Sequence, residues 1–152
     1  MNNNNNNTSN TSNTQLYQLT FYVPQTHTKQ CIDALFSVGA GTWPNPNPDV
    51  SDDADDKSGS TSEAVSLTVV DQSQPKYINT CFVSSGTGQF QPTAAANPHI
   101  GTAGGQVEYV QEDRVEMVIS GGKGKVERTV RALKSAHPYE VVAFFVAKSE
   151  FY

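Results

Sequence analysis

Apolar and polar positions along this chain alternate in blocks that read as six or seven short elements. Residues 16–23 are β-branched and aromatic and run into Pro24, which predicts a strand ending there. Thr26 can cap a following helix in which Cys31, Ile32, Leu35, Phe36 and Val38 recur at three- and four-residue spacing, with Gly39 as a left-handed stop. A second strand is expected over residues 77–85. The Ser-Gly-Thr-Gly run at 85–88 reads as a tight turn and 89–92 as a return strand, making a hairpin.

Residues 93–105 show no period and are rich in Ala, Asn, Pro and Gly, so they read as a connection. Val107, Tyr109, Val115, Met117 and Ile119 alternate in a long strand that is expected to bend near Glu112 and Asp113. Gly121 and Gly122 turn the chain into a second helix with Val126, Val130 and Leu133 on one face, ended by His137-Pro138. Residues 139–147 are almost continuously apolar, the signature of a strand buried on both faces or central in a sheet.

The order is β-α-β-(β)-β-α-β. It predicts an α+β fold of the ferredoxin-like sandwich kind, an antiparallel sheet with two helices on one face. If Phe21, Val115 or Phe145 points away from the helices, the other face is apolar and a homo-oligomer, expected as a trimer, would cover it.

Composition changes this picture at two places. Residues 1–14 are almost entirely Asn, Ser and Thr, with nothing to bury, and are expected to form a disordered tail. Residues 44–76 open with alternating Pro and Asn and continue through Asp, Ser and Gly, which predicts a disordered acidic insert in a single domain over 15–152. Seven acidic residues against Lys57 and Lys76 give that insert the whole net charge of −5, and the remainder balances at eight and eight.

A balanced core lacks the basic stripe that phosphate neutralisation requires, so nucleic acid is not expected as a partner. No apolar run of membrane-spanning length and no signal-like start are present, so no membrane association and a cytoplasmic location are expected. Cys31 and Cys81 sit in apolar patterns without metal-ligand spacing and read as core thiols.

Five strings occur in order around these elements: Leu-Thr-Phe-Tyr-Val-Pro at 19–24, Ala-Leu-Phe-Ser-Val-Gly-Ala-Gly at 34–41, Gly-Thr-Gly-Gln-Phe-Gln-Pro at 86–92, Ala-Asn-Pro-His-Ile-Gly at 96–101 and Ala-His-Pro-Tyr-Glu at 136–140. Together they resemble the YqfO-type PII/CutA-like domain inserted in Ngg-interacting-factor-three-like proteins. The resemblance implies a ferredoxin-like domain of trimeric habit. In that family a dinuclear metal site lies in two flanking lobes, absent from this chain, so the chain looks like the inserted module alone and the family's hydrolase labels do not carry over.

Several residues are candidates for binding. Gly86, Thr87, Gly88, Phe90 and Pro92 form a glycine-rich stretch whose amides can approach an anion, with a ring beside it. His137, Tyr139 and Glu140 put an imidazole, a phenol and a carboxylate at one junction, and His137 with Glu140 could contribute to a divalent metal site. Asn97 and Gly101 shape the long connection and complete the set. The Gly-Gly-Lys-Gly-Lys run at 121–125 lacks the spacing of a phosphate-binding loop and reads as a turn with solvated lysines.

No nucleophile and base pair is evident, so an enzyme is not expected. The reading is a non-catalytic oligomeric binding or regulatory module, holding a small anion, nucleotide or divalent metal between subunits. Alternatives are a scaffold for a separate protein partner and a weak metal-dependent hydrolase.

Overall fold

The computed structural model describes residues 15–43 and 75–150. The expected tail at 1–14 and nearly all of the insert at 44–76 lie outside the described residues. Four strands and two helices follow one another as β1 (Leu16–Pro24), α1 (Thr28–Ser37), β2 (Phe82–Phe90), β3 (Glu108–Ser120), α2 (Lys123–Ala136) and β4 (Phe144–Ser149). The sheet is ordered β2-β3-β1-β4 with every neighbouring pair antiparallel, the ferredoxin-like arrangement expected from the element order.

Period-two alternation sends Leu19, Phe21 and Val23 of β1 to one face, opposite Met117, Val115 and Asp113 of β3. Cys31 and Leu35 of α1 and Leu133 of α2 close over that face and complete the core. Thr129 is also fully buried on α2, its hydroxyl satisfied by donating to the Lys125 carbonyl at 2.8 Å.

Asp113 is a buried carboxylate at the edge of this core. It accepts from the Ser85 and Thr28 hydroxyls at 2.7 Å each and from Gln25 Nε2 at 3.2 Å. It thereby ties the start of α1 to β2 and β3. Burial by itself would raise its pKa, but these three donors outweigh that and hold the carboxyl below its ordinary value.

Several expectations are corrected. The 85–88 run is not a hairpin turn: β2 passes straight through it, pairing Ser85 with Asp113 and Gly88 with Val110. Neither Gly86 nor Gly88 has a positive φ; Gly88 serves by lacking a side chain where the Glu112 carboxylate lies, whereas a Cβ at Gly86 would meet nothing. The β2–β3 connection is residues 91–107, where Gly101 and Gly104 adopt φ of 85° and 71°.

β3 keeps its pairing to both neighbours through Glu112 and Asp113, whose carboxylates alternate to opposite faces, where each finds its own donors. β4 is shorter than expected and lies at an edge rather than the centre; the apolar residues before it belong to a loop. Phe21 and Val115 face the helices, and only Phe145 of the three named residues is on the open face, 66% exposed. That face is mixed rather than apolar: Phe82 accompanies Phe145, but Gln18, Arg114 and Glu116 lie between the edges and bond to one another. Cys31 is a core thiol as expected, whereas Cys81, just before β2, is exposed.

Candidate functional site

The open face of the sheet is not bare along its whole length. At the end where β1 finishes and β2 and β3 meet their connection, residues 92–100 and 139–143 fold over it and flank a half-open cavity of about 350 Å³. Its lining includes Tyr22 of β1, Gly88 and Phe90 of β2 and Glu112 of β3. Pro92, Pro98, His99 and Ile100 contribute from one covering segment, and Tyr139, Glu140 and Val141 from the other. Such a cavity, mostly apolar with a few polar groups, is a common form for a small-molecule site.

Tyr139 organises the polar side. Its hydroxyl donates to Glu112 Oε1 at 2.9 Å, and its ring packs against Phe90, His99 and His137 at centroid distances of 5.8, 6.2 and 5.1 Å. Burial, followed by the hydrogen bond and charge of Glu112, drives the phenol well above the ordinary tyrosine range. The hydroxyl therefore stays a donor to the carboxylate.

His137 stands behind this wall. Its Nδ1 accepts the Tyr139 amide N–H at 3.1 Å, which places the ring proton on Nε2, and Nε2–H donates to the Tyr22 carbonyl at 2.8 Å. Both nitrogens are thus engaged by backbone. Burial lowers the imidazole's pKa; the neighbouring His27 and His99 push the same way, against the opposing effects of the Tyr22 carbonyl and Glu112. The buried ring fixes the turn from α2 into the covering segment.

Glu140 fastens the two covers together. Its Oε1 accepts the Asn97 amide N–H at 2.8 Å, across the cavity's rim. A second aromatic contact, His27 to His99 at 5.5 Å, joins the same cover to the start of α1.

Of the sequence-nominated residues, Gly88, Phe90, Pro92, Tyr139 and Glu140 line the cavity. Asn97 and His137 support it from outside through backbone bonds. Gly101 shapes the connection: with φ of 85°, a side chain there would meet Glu108 at 2.7 Å. Gly86 and Thr87 are not among the lining residues, and the Thr87 hydroxyl accepts from Gln111 Nε2 at 3.0 Å. Among the described residues no group of three or more His, Cys, Asp or Glu could hold a metal ion, and His137 has no ring nitrogen left to offer one.

Tyr22, Glu112 and Ile100 were not nominated. Glu112 carried one legible signal, a carboxylate out of phase with the inward positions of β3. Its partnership with Tyr139 spans 27 positions of sequence and leaves no local trace.

No protein-family model matches the chain. A protein of Halalkalibacterium halodurans named GTP cyclohydrolase 1 type 2 homolog is 31% identical over 129 residues, which is 85% of this chain and 26% of that protein. A protein of the same name from Mycobacterium tuberculosis is 47% identical over 60 residues, 40% of this chain and 15% of that one. Among solved structures, a Bacillus cereus protein related to NIF3 superposes with a TM-score of 0.56 at 25% identity, over 91% of this chain and 27% of its own. The chain is a relative of the NIF3-like family. It spans about a quarter of the length of the Halalkalibacterium relative.

No helix among the described residues is long and apolar enough to cross a membrane.

Proposed function

We propose that this NIF3-like chain is a non-catalytic binding module that holds a small molecule in the cavity over the open sheet face. The observation that carries the reading is the convergence, on one half-open cavity of about 350 Å³, of residues brought from β1, β2, β3 and both covering segments. Binding is favoured over catalysis by how the polar groups are used. The ring nitrogens of His137 are both engaged by backbone, and the hydroxyl of Ser85 is given to Asp113.

Association into an oligomer accompanies this reading. Phe82 and Phe145 are exposed on the open face, and β2 and β4 each leave one side of their backbone unpaired in the sheet. A trimer is the state that the family resemblance implies.

A test uses Gly88, where an added Cβ would collide with the Glu112 carboxylate and so push it from its place on the cavity wall. Native mass spectrometry of the freshly purified protein, with a ligand-observed NMR fragment screen, should find a bound small molecule or fragments. Their binding should be lost in Gly88→Val while the thermal transition persists. Fragments indifferent to Gly88→Val, or no binding of any kind, would overturn the reading.

A further inference from the structure

The side chains of the cavity narrow the class of ligand, an inference that rests on reading the cavity as a ligand site. Its lining carries two carboxylates, Glu112 and Glu140, and neither lysine nor arginine. Arg114, two residues beyond Glu112 on the same face of β3, is turned to Glu116 at 2.6 Å. The groups that anchor the two lining carboxylates are neutral, a phenol O–H for Glu112 and a backbone N–H for Glu140. They fix the carboxylates in place without cancelling their charge, and each leaves a second oxygen to accept.

Aromatic rings reinforce the same sign. Tyr22, Phe90 and Tyr139 all line the cavity, and the face of such a ring attracts a cation through its quadrupole. An anion entering here would meet two carboxylates, and His99 is the one lining side chain among the described residues that can take up a positive charge. That works against the phosphate or nucleotide expected from the glycine-rich sequence. A bare divalent metal fits no better. It needs several oxygen ligands around one point, and among the described residues no group of three or more acidic or His/Cys side chains converges.

We infer that the cavity binds a small organic ammonium ion, its charged head drawn to the Glu112 and Glu140 carboxylates and its apolar body packed against Phe90, Pro92 and Ile100.

Three probes of nearly one shape and different charge separate this class from others: phenethylamine, phenethyl alcohol and hydrocinnamate. Each is titrated into the isotopically labelled protein near neutral pH, following the amide resonances of Gly88 and Val141. The ammonium should bind about tenfold or more tighter than the carboxylate, with the alcohol between them. Glu112→Gln and Glu140→Gln each preserve an acceptor for the Tyr139 hydroxyl or the Asn97 amide while removing the charge. Each should weaken the ammonium several-fold and leave the alcohol almost unchanged.

Hydrocinnamate binding as well as phenethylamine, or ammonium affinity unmoved in both variants, would overturn the cation assignment and leave the cavity a ligand site. Failure of all three probes to move either resonance would sink both readings. Should Glu112→Gln not fold, Glu140→Gln, at an exposed rim position, still decides the point.

Discussion

The Tyr139 hydroxyl donates to Glu112 Oε1 at 2.9 Å, joining the segment after α2 to the middle of β3. This single contact closes one side of the cavity and sets the position of its carboxylate. It is a charge-assisted bond in a half-buried setting, worth more than an ordinary exposed one. Tyr139→Phe keeps the ring contacts and removes the donor. Urea denaturation should show a loss of about 1–2 kcal/mol, and an unchanged midpoint would mean that the hydroxyl is not holding the cover.

Asp113 predicts a larger effect. Asp113→Ala strands the Ser85, Thr28 and Gln25 donors at the edge of the core, and a loss of about 2–4 kcal/mol is expected in the same measurement. Its pH dependence has a definite sign. Because the folded-state pKa lies below the ordinary carboxyl value of 3.8, the stabilisation is present above that value and is lost as pH falls through the folded pKa. The stability difference between wild type and Asp113→Asn should therefore narrow only under acid conditions below pH 3.8. A difference that narrows already near neutrality would assign the effect to another group.

His137 acts in a different pH window and for a different reason. Its folded-state pKa is depressed below the ordinary 6.5, chiefly by burial, so the unfolded chain takes up a proton where the folded one does not. Stability is full above pH 6.5 and declines as pH falls from there towards the folded pKa, where the decline ends. Protonation of Nδ1 would also set two donors face to face, ring N–H against the Tyr139 amide. Denaturation curves at a series of pH values should show this slope in wild type and a weaker one in His137→Gln. Equal slopes in the two proteins would remove His137 as its source.

Phe21 and Phe145 read alike in sequence, each a phenylalanine in a predicted strand, and differ completely in place. Phe21 is fully buried beneath the helices, so Phe21→Ala should cost about 3–5 kcal/mol. Phe145 is on the open face, and Phe145→Ala should leave monomer stability within about 0.5 kcal/mol. Chemical denaturation of the two variants distinguishes them; comparable losses would contradict the orientation of β4.

Local chemistry was enough for the elements that carry their own signals. The alternation in β1 and β3, the apolar face of α1 and the Pro138 stop after α2 are consequences of side-chain period and backbone constraint within a few residues. With their order, they determine a ferredoxin-like α+β fold. The glycine-rich 85–88 run misled because glycine has two uses, positive φ and close approach. Sequence could not show that Glu112 would lie over Gly88 and demand the second. Residues 139–143 misled likewise: an apolar run reads as a central strand until a cavity exists for it to line.

What the sequence alone determined, then, was the set of elements and five of the cavity's residues, since patterning and short motifs are local properties. The tertiary structure decided which sheet face is covered, that Glu112 and Tyr139 meet, and that His137 spends both nitrogens on backbone. Those outcomes depend on antiparallel pairing and loop closure between positions as far apart as Tyr22 and His137, and the energetics of such contacts are not written in any single stretch of the chain.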